Sequence, residues 1–393
     1  MILTIVICVV ILLTYAIWER ILHQKRLHSI PIRINVNGIR GKSTVTRLIT
    51  GVVKEANYKV VGKTTGTSTR MIYWFIKDES PIKRRKEGPN IGEQRRVIKE
   101  VADLEADALV CECMAVQPDY QIIFQNIMID ANIGVIVNVL EDHMDVMGPT
   151  LNEVADAFLA TIPYNGYLIT IESDYLGYFK KVAKQRNTKV ITADSSKISD
   201  EFLRKFDYMV FPDNASIALA VAEAMGIDEE TAFRGMLNAQ PDPGAMRITR
   251  FGQKLEPSFF VNGFAANDAS PTLRIWERVS SFKYSEKAPI IMNCRADRVD
   301  RTEQFARDVL PYIEAEILLA IGEATAPIKN FHEKGVIPAN LFVDLEGWST
   351  EEIMNAMHPY IRGRIVYGIG NIHGAATPLI NTIIKEELVS QVS

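Results

Sequence analysis

The sequence predicts an α/β protein, and three observations predict it. A strand-like run, Ile32 to Asn37, leads straight into a glycine turn ending in Gly-Lys-Ser and then into an amphipathic helix. Short apolar runs alternate with helical stretches along the chain, the pattern of a mostly parallel sheet. The alternation restarts after about residue 244, which implies a second α/β domain of ordinary size. The expectation is a P-loop-containing, mostly parallel sheet, a second Rossmann-like α/β domain, and an amino-terminal transmembrane helix ahead of both.

The helix comes first. "MILTIVICVVILLTYAIW", residues 1–18, carries no charge. As a helix it spans roughly 27 Å, about the hydrocarbon thickness of a bilayer. A cleaved signal peptide would have a basic start and a small-residue cleavage site, and a buried core helix would show some polar face. Neither description fits as well as a retained anchor. Arg20, Lys25, Arg26 and Arg33 follow, so the positive-inside rule puts the remaining chain in the cytoplasm, with Trp18 at the interface. Residues 19–30 read as a short linker.

Residues 31–243 form the first α/β domain. Ile32, Ile34 and Val36 alternate with Arg33, Asn35 and Asn37, giving a strand, and Lys42 to Ala56 places Val45, Leu48, Ile49, Val52, Val53 and Ala56 on one helical face. A helix over 91–104 and two buried strands, "ADALVCE" and "NIGVIVNVL", come next. "AQPDPGA" reads as the hinge. In 244–393 the strand candidates are "SFFVNGF", "APIIMNC", "AEILLAIG", "LFVDL" and "RIVYGIG", with helices at 270–282 and 302–313 among the connections.

Composition narrows the partners. With 47% hydrophobic and 23% charged residues and a net charge of −4, the chain has no basic excess to neutralise phosphates, so nucleic acid is not expected as a partner. Cys8, Cys111, Cys113 and Cys294 make no disulfide framework, consistent with a reducing compartment.

The chemistry sits at strand ends. Gly38 and Gly41 let the backbone curl so that amides face phosphate oxygens, Lys42 reaches the β- and γ-phosphates, and the Ser43 or Thr44 hydroxyl faces a Mg²⁺. The first glycine is displaced from its usual position, now held by Val36. Glu112 ends one strand; Asp142, His143 and Asp145 follow another. In open parallel sheets ligands bind at those carboxyl ends.

"NGIRGKST", "ECMAV", "NVLEDHMD", "FPDNASIALAVAEAMGI" and "PGAMR" resemble successive motifs of the Mur ligase superfamily, whose shortened Gly-x-x-Gly-Lys-(Ser/Thr) loop accounts for the displaced glycine. "GKTTGTSTRMIYW", "GPNIGEQ", "MNCRADRVDRT" and "YGIGNIHGAA" are similar to stretches of its poly-γ-glutamate synthase branch, found in capsule-forming bacteria. The resemblance covers essentially the full length. It implies ATP-dependent amide ligation: a carboxylate attacks the γ-phosphate to give an acyl phosphate, which an amine then opens. It implies ATP with Mg²⁺, or Mn²⁺ in its place, as cofactors. Glutamate and a growing poly-γ-glutamate chain are the implied substrates, and the membrane proteins of a synthesis and export complex the implied partners. Lys42, Glu112, His143 and Arg298 are the implied catalytic residues, with Ser43, Glu112 and His143 on the metal. The nucleotide contacts are Asn37, Gly38, Ile39, Arg40, Gly41, Lys42, Ser43 and Thr44, with Asn214 at the adenine and Arg247, Asn267 and Asp297 from inter-domain positions. Mg²⁺ prefers oxygen, so His143 as a ligand rests on the resemblance alone.

Two departures stand out. The lysine that many Mur ligases carbamylate for a second metal is absent, with Thr161 near its place. The histidine of an Asp-x-Ala-His-Asn-Pro motif is Ala266. "KRRK", 83–86, is equally a solvated loop or a polyanion contact. Lys63, Thr64 and Thr65 suit either a turn or acceptor carboxylates. Cys111 and Cys113 fit core positions, and "YGIGNIHG" a strand-to-helix connection. Two other functions remain open: a ligase for a soluble acceptor such as a folate or cell-wall precursor, and a nucleotide-dependent scaffold that makes no bonds.

Overall fold

A computed structural model describes residues 2–392, apart from 67–68, 83–91, 204, 243–246, 253–255, 265, 267–268 and 282–287. The "KRRK" stretch and Asn267 therefore lie outside the described residues. The chain divides into two compact units, one of residues up to 206 with 210–245 and one of 207–209 with 246–393.

In the first unit the strands are β1 (Ile32–Asn37), β2 (Val60–Thr64), β3 (Arg70–Tyr73), β4 (Ser80–Pro81), β5 (Ala108–Glu112), β6 (Ile133–Ile136), β7 (Tyr167–Ile171) and β8 (Lys189–Ala193). They form one sheet in the order β4-β3-β2-β5-β1-β6-β7-β8. β2, β5, β1, β6, β7 and β8 run parallel, and β3 and β4 add an antiparallel edge. β1 is thus flanked by β5 and β6, and its carboxyl end delivers the glycine loop to the middle of the sheet. Its alternation of apolar and polar residues suggests a half-solvated strand, yet Arg33, Asn35 and Asn37 are buried along with Ile34 and Val36. Both faces are covered by helices, as parallel sheets require.

The loop helix, Lys42–Glu55, buries Val45, Leu48, Ile49, Val52 and Val53 as its spacing implies, and also Thr46, Arg47 and Thr50. It crosses helix Glu229–Leu237 where two glycines meet: a Cβ on Gly51 would lie 2.3 Å from the Gly235 carbonyl oxygen. Lys63 and Thr64 are fully buried within β2, so the turn considered for them is a strand.

At the amino terminus, a continuous helix runs Ile2–His28, about 40 Å long by its rise, so residues 19–28 prolong it rather than form a separate linker. Its apolar window has a mean hydropathy of 2.4 and none of it is buried. The last turns dock: Leu27 is buried, and the His23 Nε2 lies 3.1 and 3.2 Å from the carbonyl oxygens of Ile127 and Met128 in a π-helical turn, Phe124–Ile129.

In the second unit the strands are β9 (Ile248–Phe251), β10 (Ser258–Asn262), β11 (Ile290–Cys294), β12 (Ile317–Gly322), β13 (Leu341–Glu346) and β14 (Ile365–Gly370), ordered β13-β12-β11-β14-β10-β9. All neighbours are parallel except β9 with β10. The five anticipated strands are present. β9 escapes a sequence reading because "ITRF" is short and half polar. The helices at 270–282 and 302–313 are Ala269–Ser281 and Val299–Asp308, the latter followed by a short 3₁₀ turn.

Gly51→Val should overpack the Gly51–Gly235 crossing and cost about 1–3 kcal/mol, read as a lower urea midpoint at unchanged slope.

Candidate active site

The loop's side chains converge on a cleft of about 230 Å³ at the carboxyl ends of β1, β5 and β6. Asn37, Gly38, Ile39 and Lys42 line one wall, Thr65, Gly66 and Glu112 another, and His143 and Met147 close it. Gly38 and Gly41 adopt φ of 131° and 82°, conformations that only glycine holds without strain. Helix Lys42–Glu55 starts directly after, with its first amides free of intrahelical partners.

Glu112 is buried, and its Oε2 accepts from the Ser43 hydroxyl at 2.9 Å and from the Thr65 amide at 2.6 Å. The Lys42 ammonium donates to the carbonyls of Gly38 at 2.7 Å and Ile39 at 3.1 Å. Burial pulls its pKa below the ordinary lysine value, and the Glu112 carboxylate pushes it back. The cleft thus holds a half-buried cation and a buried anion, with a hydroxyl between the anion and the loop. Triphosphate oxygens suit the first, and a hard divalent cation suits the oxygen pair Ser43–Glu112. His143 sits in left-handed conformation at φ 50°, more than half exposed, with Nε2 3.9 Å from Asp142. Among the described residues no three His, Cys, Asp or Glu side chains gather as a ready metal cluster. A metal here would therefore draw ligands from hydroxyl and phosphate oxygens as well.

Other anticipated residues fall around this core. Asn214 is buried, its amide oxygen 2.9 Å from where a Cβ on Gly41 would sit, which puts it against the loop. Arg40 points outward to Asp142 at 3.3 Å, and Thr44 is half-buried in the first helical turn. Asn37 lines the cleft, but its amide is engaged beneath the loop: Nδ2 donates to Gln121 at 2.8 Å and Thr161 at 2.9 Å, and Oδ1 accepts from the Gly38 amide. Thr161, near the place of the missing lysine, thus spends its hydroxyl on the scaffold.

In the second unit, Asp297 takes two hydrogen bonds from the Arg295 guanidinium just past β11, and Arg298 stands at the N-cap position of helix Val299–Asp308 without a side-chain capping bond. Arg247 is exposed and pairs with Tyr208 as an isolated bridge.

Sequence reasoning passed over Asn138, which bonds to the loop backbone, and the carboxylate facing Lys63, whose ammonium lies 2.8 Å from Glu93 with both groups buried. Asn138 falls inside the "NVLEDH" run, two residues beyond a strand end beside the loop; that position was the available signal. Nothing local links Lys63 to Glu93.

A phosphate loop, a buried carboxylate at the next strand and a second α/β unit define an ATP-dependent amide ligase of the Mur type. Residues 36–240 match the Mur ligase middle domain, and 248–386 match the poly-gamma-glutamate synthase CapB C-terminal domain. The chain is 77% identical over 389 residues to the capsule biosynthesis protein CapB of Bacillus anthracis, covering 99% of this chain and 84% of that one. It is 63% identical over 392 residues to the PGA synthase CapB of Bacillus subtilis strain 168, covering 100% of each. The fold is similar to that of E. coli FolC in complex with ADP, at TM-score 0.58 and 14% identity over 92% of both chains. The chain belongs to the Mur ligase superfamily, in the CapB branch.

Lys63→Met should destabilise the protein by about 3–5 kcal/mol in chemical denaturation, because it removes the cation set against the buried Glu93 charge. Adding Glu93→Gln to it should recover most of that loss. Cys111 and Cys113, their pKa values pushed up to about 12 by burial, should resist iodoacetamide at pH 8 in the native protein and react only after unfolding, as mass spectrometry would report.

Proposed function

We propose that this chain polymerises glutamate through its γ-carboxylate, using ATP, at the cytoplasmic face of a membrane. What supports this most is the convergence of Lys42 with the Ser43–Glu112 pair on one cleft, in a chain of the CapB branch. The γ-carboxylate oxygen attacks the γ-phosphorus, the bond to the β–γ bridging oxygen breaks, and ADP leaves. The amine of the partner glutamate then attacks the acyl carbon, the bond to the phosphoryl oxygen breaks, and phosphate departs as the amine loses a proton. Lys42 and the amides at the start of helix Lys42–Glu55 hold charge on the phosphoryl oxygens, an electrostatic task that needs no covalent contribution from the protein. Asn37 to Thr44 and Asn214 make up the nucleotide side. Arg247, Asn267, Asp297 and Arg298 would add nucleotide and substrate contacts, as the family resemblance implies.

Ser43 and Glu112 would hold Mg²⁺ or Mn²⁺, with His143 at the same cleft, and the ion would supply positive charge to the transferring phosphoryl group. The apolar helix Ile2–His28 would anchor the enzyme, with Arg20, Lys25 and Arg26 on the cytoplasmic side. The growing chain and the membrane proteins of the export complex would then meet it there.

Membranes given ATP, Mg²⁺ and glutamate labelled with ¹⁸O in the γ-carboxylate should pass label into phosphate and form γ-linked polymer. A scaffold would transfer none, and wild-type polymer synthesis in Lys42→Ala would remove the loop from the mechanism. The loss expected in Lys42→Ala is about 10²-fold or more.

The same lysine makes a stability prediction. Burial lowers its folded-state pKa, so below its ordinary value of 10.5 the free protein carries a penalty for holding the charge, and that penalty fades as pH rises toward 10.5. Lys42→Met should therefore melt no lower than wild type at pH 7 without nucleotide, while losing the stabilisation that ATP confers on wild type in the same thermal scan.

A further inference from the structure

The loop is gripped by a residue outside its own motif. Asn138 lies two positions beyond β6, and its carboxamide oxygen accepts from the amides of Ile39 at 3.1 Å and Arg40 at 3.0 Å. Its Nδ2 donates to the Arg40 carbonyl at 3.0 Å. The Arg40 side chain in turn meets Asp142 at 3.3 Å, so the loop is joined through backbone and side chain to the segment that carries His143. Packing agrees: a Cβ on Gly38 would stand 3.1 Å from the Asn138 amide nitrogen, so strand end and loop are already in contact. From the other side the buried Asn214 amide presses on Gly41.

Two of the loop's amides are thereby committed to Asn138. The donors left for an anion begin at the start of helix Lys42–Glu55, where Val45 is the first residue to donate its amide to a carbonyl four residues back, that of Gly41.

We infer that Asn138 is a positioning residue for phosphate binding. It sets the Ile39 and Arg40 peptide groups so that the helix-start amides and Lys42 are aimed before nucleotide arrives, and it ties the loop to the His143 segment. A loop ordered in advance loses less freedom on binding, which appears as affinity. This inference rests on the nucleotide site proposed above.

The test titrates the full-length protein in detergent with ADP and with a non-hydrolysable ATP analogue plus Mg²⁺, comparing wild type, Asn138→Ala, Lys42→Ala and Thr170→Val. Thr170 donates to the Ile136 carbonyl at 3.0 Å in the same sheet and controls for the loss of a buried hydrogen bond. Asn138→Ala should weaken nucleotide binding about tenfold or more and raise KM for ATP with KM for glutamate unchanged, while Thr170→Val keeps wild-type affinity at a similar melting shift. Wild-type or tighter affinity in Asn138→Ala, or equal losses in both variants, overturns the inference. If Lys42→Ala also binds as wild type, the nucleotide site itself falls. Should Asn138→Ala not fold, the isosteric Asn138→Asp answers instead: it keeps the acceptor, loses the donor to Arg40 and sets a carboxylate against the loop. It should bind nucleotide more weakly than wild type, and wild-type affinity in it refutes the positioning role.

Discussion

Asn35 and Asn37 project from one face of the strand at the centre of an eight-stranded sheet, where water does not reach them. A carboxamide buried without a partner costs a few kcal/mol, so the strand is tenable there only if other amides meet it. Gln125 accepts from Asn35 and Gln121 from Asn37, each at 2.8 Å, from positions four apart that a helical turn stacks on one face. Gln125 passes the chain on to the Ala131 carbonyl, and Asn37 passes it to the Gly38 amide. The glycine loop is the upper end of this ladder. Asn138 extends the same chemistry onto the loop itself.

Charge is handled by a related rule. Lys63 with Glu93, and Arg47 with Glu79 and Asp242, are buried ion pairs in which removing one member leaves the other's charge uncompensated. Arg47 lies on the loop helix and Asp242 follows helix Glu229–Leu237 in the chain, so the pair ties two separate parts of the first unit together. Surface pairs such as Lys99–Asp103 contribute far less, since water screens them. Glu112 differs from both. Its partners are a hydroxyl and an amide, which leaves its negative charge for a cation to share.

The amino-terminal helix changes character along one axis. Its first turns expose Ile, Val and Leu, as a lipid-facing segment would, while His23 and Leu27 turn inward to the domain. No break separates the two parts: Trp18 and Glu19 mark the change in composition only.

Period and motif already determined much from the sequence. The glycine loop between strand and helix, the strands ending at Glu112 and before Asp142, the second α/β series and the apolar helix all follow from local pattern, because each is set by neighbours along the chain. Burial on the polar face of β1, the Lys63–Glu93 pair, the strand at 60–64 and the clamp by Asn138 were decided only by the tertiary structure. Those depend on which distant residues arrive opposite a given side chain, and a polar residue reads the same in a one-dimensional pattern whether water or a buried amide awaits it.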